Sequence, residues 1–411
     1  MYGEIYISVK PVWSSAVLVD LEQPVRFSPR TATSVLGRKT HTWRLHASHS
    51  QRGHVSYAPV RVSYPELSVQ DKSLSHAIEA AYGPAGLGLL LVDQVPGLIE
   101  ARSRLLPLAQ QLASLPPDQL QLLEDPASSY GFGWSHGKES YAPGVADFMK
   151  ASFYANPIVD TPTLDARLVQ RYPSYCRPNL WPREALPPLE PAFKRLGRLI
   201  VQVGALVARE CDAYVTAQTG GGESPVRAGR LQNSGRLHGI VTRSLAHKAR
   251  LLHYFPPSPS QSDTAAAWCG WHNDHGSLTG LTSAMFTSSD GLPVPNPCPE
   301  AGLYVRTRDG NEVKVSIPED CLAFQIGECA QVHSGGLLMA TPHCVRAPSS
   351  AEGDMKMVGR NTFAVFMQPT WDETMDPPST RTAPEVVGVK GWNSSMNFGE
   401  FTEERVSRYY N

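Results

Sequence analysis

The chain has 411 residues, of which 41% are hydrophobic and 18% are charged. This composition is typical of a globular protein with a sizeable core. The 37 lysines and arginines balance 38 aspartates and glutamates, so the formal net charge is −1. Such a balance excludes a global electrostatic field for nucleic acid or an anionic membrane, and we expect neither as a partner.

The seven cysteines are odd in number, widely scattered and never spaced as C-x-x-C. This pattern favours neither a disulfide framework nor a zinc knuckle, and it suits a reducing compartment. The best apolar run, LIVQVGALVA at 199–208, is shorter than the roughly 18–20 residues that a membrane helix needs. We therefore expect no membrane-spanning segment.

The first 55 residues differ in composition from the rest. Between Gln23 and Tyr64 there is no acidic residue, while arginine, serine, threonine and histidine are frequent. Such a leader resembles an organelle transit segment, although Glu4 fits one poorly, and a disordered N-terminus explains it equally well. We predict a cytoplasmic protein, or a plastid or other organellar one if the leader is a transit peptide.

Residues 56–225 read as an N-terminal α/β and helical region. PVRVSYPEL and GLGLLLVDQVPG indicate strands, and LSHAIEAAY and LIEARSRLLPLAQQLASLP indicate helices. A long helix is predicted where apolar residues recur every three or four positions between Phe193 and Tyr214. SSYGFGWSHGKE at 128–139 reads as a glycine-rich loop, but it lacks the G-x-G-x-x-G spacing of a nucleotide-binding loop.

Residues 226–375 are predicted as a second, mainly β region, in which short β-like runs separated by turns extend from Leu251 to Pro369. LLHYF, SLTGLTSAMF, GLYVRT, EVKVSI, CLAFQIG, HCVRAP and NTFAVFMQP predict the strands of a sandwich or barrel. The basic residues of 227–250 are interpreted as a solvated face, since no aromatic residues interleave them. Residues 376–411 form a C-terminal extension in which FTEERVSRYY predicts a short helix.

The segment WCGWHNDHGSLTGL contains a candidate metal-binding pair, His272 and Asp274. On an extended segment, residues two apart share a face, so both side chains can point at one ion. His343, in TPHCVRAP, is a candidate third ligand from another strand. Two histidines and one carboxylate leave positions open on Fe(II) for a co-substrate and O2.

GRNTFAVFMQP places Arg360 and Thr362 on one face of a later strand. A guanidinium with a hydroxyl two residues on is suited to anchoring a dicarboxylate through charge-assisted hydrogen bonds.

Together these motifs resemble the isopenicillin-N-synthase-like branch of the Fe(II)/2-oxoglutarate-dependent dioxygenases. The shared order is H-x-D, G-x-L-T, the turn Ile326-Gly327-Glu328, the distal His343, and R-x-T before an apolar strand. HYFPP at 253–257 and Asn179-Leu180-Trp181-Pro182 also resemble segments of that family. The likeness covers roughly residues 56–375.

The resemblance implies a mainly β fold with flanking helices, in which a double-stranded β-helix (jelly-roll) core follows an N-terminal α/β region and precedes a C-terminal helix. It implies Fe(II) held by His272, Asp274 and His343, with 2-oxoglutarate as co-substrate anchored by Arg360 and Thr362. It further implies O2 consumption, release of succinate and CO2, and hydroxylation or desaturation of a small organic substrate by a protein that we expect to be monomeric.

Three features depart from the family pattern. His253 and Phe255 stand where the family usually has Asn and Tyr near the co-substrate, the 349–359 segment reads as an inserted loop, and the leader has no counterpart. Two other functions stay open: an oxidase of the same fold that does not use 2-oxoglutarate, and a catalytically silent barrel that binds a ligand or a protein. His275 and His333 are interpreted as structural histidines.

Overall fold

A computed structural model describes residues 58–69, 73–142, 145–220, 236–256, 267–347 and 358–407. The predicted leader, the 226–235 segment and nearly all of the predicted inserted loop lie outside these ranges.

The described strands include short edge pieces and one nine-residue strand. They are β1 (Val60–Ser63), β2 (Leu89–Asp93), β3 (Gly133–His136), β4 (Ser140–Ala142), β5 (Val145–Ala146), β6 (Lys150–Ala155), β7 (Lys248–Tyr254), β8 (Ala267–His272), β9 (Leu278–Thr282), β10 (Met285–Thr287), β11 (Pro293–Val294), β12 (Gly302–Arg306), β13 (Glu312–Val315), β14 (Leu322–Ile326), β15 (His343–Arg346) and β16 (Gly359–Met367).

The described helices surround these strands. They are α1 (Tyr64–Ser68), α2 (Ser75–Tyr82), α3 (Leu98–Leu105), α4 (Pro107–Ala113), α5 (Pro117–Gln121), α6 (Ala166–Arg171), α7 (Pro173–Cys176), α8 (Leu189–Gln218), α9 (Arg236–Arg243), α10 (Glu328–His333), α11 (Pro384–Val387) and α12 (Phe398–Ser407), with a 3-10 turn at Pro126–Ser128. None of these helices is both long and apolar enough to cross a membrane.

Two sheets form the centre of the fold. The larger runs β1-β2-β14-β9-β16-β7-β6-β3, with β10 and β11 beside it, and the smaller runs β13-β12-β15-β8. Their inner faces meet in shared apolar clusters, where Leu89 and Leu91 of the larger sheet join Leu303 and Val305 of the smaller one. The fold is therefore mainly β with flanking helices around a jelly-roll core, as the sequence predicts.

The larger sheet is assembled from both halves of the chain. β2 pairs antiparallel with β14, and β6 pairs antiparallel with β7. Strands of the N-terminal region thus extend the sheet beyond β14 on one side and beyond β7 on the other.

Helix α8 covers the outer face of the larger sheet. Its buried stripe includes Phe193, Leu196 and Ile200, each with no exposed area, and burying such a side chain contributes about 1.5–3 kcal/mol. Gly280 of β9 permits close contact, because a Cβ there would lie 2.2 Å from Cγ2 of Ile200. Phe363, Val365 and Met367 of β16 join this core. The alternate side chains of the strand therefore point to the opposite face, towards the interior.

Several local predictions are wrong. The segment predicted as a glycine-rich loop contains β3, and β6 (KASFYA) was not predicted at all. Every residue of β6 is buried, because apolar Ala151 and Phe153 join the helical core while polar Lys150 and Ser152 alternate with them on the other buried face. The helix predicted over 98–116 is divided into α3 and α4, and Pro107 begins α4 because its ring suits a first helical turn.

The predicted solvated basic face is also partly wrong. Arg243 is exposed, but Lys248 and Arg250 on β7 are 4% and 5% exposed and point into the protein.

Candidate metal and co-substrate site

The two candidate histidine ligands lie on neighbouring strands of the smaller sheet. His343 begins β15, His272 ends β8, and the two are direct cross-strand partners. Both are buried, at 7% and 6% exposure. The pairing register thus brings together side chains that are 71 positions apart in the sequence.

Asp274 lies just beyond the end of β8. The extended segment predicted to hold both His272 and Asp274 ends at His272. The backbone carbonyl of Asp274 accepts a hydrogen bond from the Glu328 N–H, 2.8 Å away, at the start of α10. Asp274 thus lies two residues beyond the paired strand, and its carboxylate still reaches the two imidazoles.

The three side chains converge on one point. Oδ1 of Asp274 lies 3.9 Å from Nε2 of His272 and 3.9 Å from Nε2 of His343. One ligand atom from each residue lies within 4.8 Å of the others. The geometry places a carboxylate and two imidazole nitrogens around a common centre.

Hydrogen bonds orient both imidazoles. Nδ1 of His272 lies 2.8 Å from the Gly270 carbonyl, and Nδ1 of His343 lies 3.2 Å from the Thr341 carbonyl. A carbonyl can only accept, so each Nδ1 carries the proton and each Nε2 presents its lone pair to the centre.

Burial keeps these imidazoles neutral. It lowers the pKa of His272, and burial together with the neighbouring His272 lowers the pKa of His343 to about 4. Neutral imidazole is the form that binds metal. Oδ2 of Asp274 is buried and has no hydrogen-bond partner among the described residues. An orphaned carboxylate oxygen beside two neutral imidazoles fits a transition-metal ion such as Fe(II).

Arg360 is a buried cation on the inner face of β16. It is 7% exposed, and its Nε and Nη1 have no hydrogen-bond partner in the described part of the chain. Its guanidinium carbon lies 5.0 Å from the ring centre of Tyr254 and 5.7 Å from that of Trp268. Burial lowers its pKa, and a guanidinium so placed is stabilised when an anion pairs with it.

Thr362 shares this face with Arg360. It lies two residues further along β16 and is half-buried, while Phe363 between Thr362 and Ala364 faces the helical core. The predicted anchor pair therefore lies on one face of β16, the face that points to the interior.

Tyr254 is a candidate site residue that the sequence did not reveal. His253 and Phe255 stand where the family usually has residues near the co-substrate, and neither was predicted as a ligand, whereas Tyr254 is the cross-strand partner of Arg360. His253 instead bonds to Asn361, with 2.7 Å between Nδ1 and Oδ1, and its ring packs against Phe255. Because side chains alternate along an extended segment, His253 and Phe255 face away from the interior, whereas Tyr254 between them faces the buried Arg360.

A second polar cluster lines the same interior, and no sequence pattern indicated it. Oε1 of Glu139 lies 2.8 Å from Nη2 of Arg250 and accepts a hydrogen bond from the Tyr154 hydroxyl at 2.9 Å. Oε2 of Glu139 lies 3.2 Å from Nζ of Lys150, which also pairs with Asp147. Burial opposes ionisation of Glu139, but the charges of Arg250 and Lys150 together with the hydrogen bond from Tyr154 outweigh it and lower the pKa of the carboxyl.

His275 and His333 lie outside the three-residue cluster. Nε2 of His333 donates to the Thr374 carbonyl at 3.0 Å. The His275 ring stacks on Phe398 with 6.1 Å between centroids, and burial lowers its pKa to about 4. Both contacts are those of structural histidines.

No known family's sequence profile matches the chain, and no curated protein matches it in sequence. Solved structures do match its fold. A 2OG-Fe(II) oxygenase family protein of Caulobacter crescentus superposes with a TM-score of 0.60 at 17% identity, covering 85% of this chain and 99% of that one.

Two further solved structures contain relevant ligands. A Neurospora crassa protein in complex with alpha-KG and thymine has a TM-score of 0.57 at 18% identity, covering 88% of this chain and 99% of that one. JOX2 with 2OG, Fe and JA has a TM-score of 0.54 at 15% identity, covering 86% and 89%. At these identities the likeness shows a shared fold, that of 2OG-Fe(II) oxygenases.

Proposed function

We propose that this chain is an Fe(II)- and 2-oxoglutarate-dependent oxygenase of the isopenicillin-N-synthase-like branch, acting on a small organic substrate. The observation that carries the proposal is the convergence of His272, Asp274 and His343 in an interior that also buries the guanidinium of Arg360. Two nitrogens of that guanidinium and one oxygen of Asp274 lack a partner among the described residues, and a dicarboxylate and a metal would satisfy them.

His272 and His343 would hold Fe(II) through Nε2, and Asp274 through its carboxylate. Because the Nδ1 protons are donated to backbone carbonyls, the rings need no rotation or proton loss to bind the ion. Arg360 would bind the far carboxylate of 2-oxoglutarate, with Thr362 beside it and the Tyr254 ring packed on the guanidinium.

Bound iron and 2-oxoglutarate supply the oxidising chemistry, which in this fold consumes O2 and yields succinate and CO2. The protein contributes geometry and exclusion of water. The polar cluster of Glu139, Arg250 and Lys150 is buried, and Glu139 pairs with both cations, so the cluster needs no bound water to hold its geometry. We propose hydroxylation as the outcome, with desaturation as the variant that needs the same residues.

A small-molecule substrate is supported by the ligands of the structural neighbours. The Neurospora crassa protein is crystallised with thymine, a small organic molecule, and JOX2 is crystallised with JA. The identity of the substrate is left to experiment.

The proposal is tested by loading the purified protein with Fe(II) without oxygen, adding 2-oxoglutarate, and recording the metal-to-ligand absorption. Oxygen is then admitted and succinate is measured. We expect one iron per chain, an absorption band that requires 2-oxoglutarate, and slow succinate formation even without the substrate.

The two competing functions give other results. An oxidase of the same fold would bind iron but show no band with 2-oxoglutarate. A silent binding barrel would retain no iron at all.

A further inference from the structure

The loop that carries the metal ligands rests on the start of α10. Glu328 donates its N–H to the Asp274 carbonyl at 2.8 Å, Cys329 donates to Gly276 at 3.1 Å, and Gly327 donates to Ser277 at 3.1 Å. Gly327 permits this approach, because a Cβ there would lie 2.1 Å from the Gly276 oxygen. The position of Asp274 is thus tied to the position of α10.

The Glu328 side chain makes a second connection to the same loop. Its Oε1 accepts a hydrogen bond from Nδ2 of Asn273 at 3.3 Å. Asn273 stands between the candidate ligands His272 and Asp274, so the carboxylate of Glu328 fixes the middle of the H-x-D segment.

Glu328 is in turn held by the C-terminal helix. Nε of Arg405 on α12 lies 3.0 Å from Oε2 of Glu328, and the two side chains are only 6% and 10% exposed. A buried pair of this kind strongly restricts both partners, because breaking it leaves an uncompensated charge.

Helix α12 is itself firmly placed. Asn397 caps it, accepting from the Glu400 N–H at 2.9 Å and donating its own N–H to the Glu400 carboxylate at 3.0 Å. Phe398 and Phe401 have no exposed area, and Phe398 stacks on His275, the residue after Asp274. The helix therefore approaches the metal-ligand loop from behind with both apolar and ionic contacts.

We propose that Arg405, acting through Glu328 and Asn273, is a positioning residue for the metal centre, so that the C-terminal helix sets the affinity for the ion. This inference rests on the proposed function. Outer partners that orient metal ligands typically change metal affinity by about 10- to 100-fold when removed.

The test uses the full chain and Co(II) as a spectroscopic probe, titrated without oxygen, with thermal unfolding of the metal-free protein recorded in parallel. We expect Arg405→Gln to weaken Co(II) binding about 10- to 100-fold and to alter the visible absorption of the bound ion. The matched control is Arg171→Gln, which removes an exposed ion pair to Glu403 on the same helix, with 2.7 Å between Nη1 and Oε1. This control should bind Co(II) like the unmodified protein.

A double-mutant cycle of Arg405→Gln with Asn273→Ala separates positioning from general stability. If the effect travels through Glu328 to Asn273, the double variant loses less affinity than the sum of the single losses. If Arg405→Gln does not fold, Arg405→Lys takes its place in the cycle, with a smaller loss and the same non-additivity expected.

Additive losses, or unchanged Co(II) affinity and spectrum in a folded Arg405 variant, would overturn the inference while leaving the proposed function intact. An unmodified protein that binds neither Co(II) nor Fe(II) would instead overturn the proposed function, and this inference with it.

Discussion

His272 and His343 face each other across β8 and β15 with their ring centroids 4.2 Å apart, because the two strands pair in a register that makes them direct partners. The strand register, and not a local motif, determines the spacing of these two imidazoles. The segment that follows β8 adds Asp274 to them.

Removing any of these three side chains should eliminate metal binding. We expect His272→Ala, Asp274→Ala and His343→Ala to retain no Fe(II) after anaerobic loading and gel filtration, because each supplies one of three ligand atoms. Metal content per chain is the measurement. His333→Gln is the control; loss of iron in this variant, with retention in His343→Ala, would contradict the assignment of the third ligand.

Arg360→Ala should weaken 2-oxoglutarate binding. The buried guanidinium has Nε and Nη1 atoms without a partner among the described residues, and charge-assisted hydrogen bonds contribute about 1.5–3 kcal/mol each. Losing one of them corresponds to about 10- to 150-fold weaker binding, and losing two to a larger decrease. Titration of 2-oxoglutarate into the anaerobic Fe(II) protein measures this affinity.

Arg360→Lys should be intermediate, since an ammonium cannot make the two-pronged contact. Iron content should be normal in both variants, because Arg360 is not among the clustered metal ligands. Unchanged 2-oxoglutarate affinity in Arg360→Ala would favour the oxidase that does not use this co-substrate.

Gly280→Ala should destabilise the protein. The added Cβ would lie 2.2 Å from Cγ2 of Ile200, and overpacking of a filled core costs about 1–3 kcal/mol. The free energy of unfolding in urea is the measurement. Gly239→Ala on α9 is the control, because the three atoms nearest to its added Cβ all belong to the Arg243 guanidinium, the far end of a flexible side chain. Equal stability of the two variants would show that α8 packs more loosely than described.

The metal-free protein should lose stability as the pH falls from about 6.5 towards 4. Burial lowers the pKa of His247 to about 4, and its Nδ1 accepts from the Gln368 N–H at 3.3 Å, a bond that protonation would break. In this window the unfolded chain binds the proton and the folded one does not, so the unfolding free energy falls by about 1.4 kcal/mol per pH unit for each such histidine. Denaturant unfolding measured across this range should show that the unfolding free energy depends less steeply on pH in His247→Gln than in the unmodified protein. An identical pH dependence would refute the contribution of His247.

The sequence predicts the regular parts of this fold well. The three-to-four-residue apolar spacing from Phe193 to Tyr214 lies within α8, and the runs around the H-x-D segment correspond to strands of the two sheets. Local periodicity suffices for α8 because that helix buries one stripe, while strands such as β9 and β14, which are buried on both faces, are marked by short apolar runs between turns. The predicted ligands also lie together, while their roles in binding metal and co-substrate stay predictions.

Other features depend on contacts that are remote in sequence. Arg250 is buried because Glu139, 111 positions earlier, neutralises it, and no local pattern signals such a partner. Tyr254 faces the interior because β7 pairs in register with β16. The resemblance of HYFPP at 253–257 to a family segment does not reveal this pairing. Where burial is fixed by pairing between distant strands, composition alone indicates the wrong face.

The pairing of β2 with β14 and of β6 with β7 also bears on how this site could be transferred to another protein. A fragment that begins at Arg236 would keep His272, Asp274, His343 and Arg360 but would leave two strand edges uncovered. Uncovered edges offer unpaired backbone groups to other chains and promote aggregation. The part of the chain that carries the candidate site therefore cannot be transplanted without the N-terminal strands that cover its edges, even though those strands supply none of the four candidate side chains.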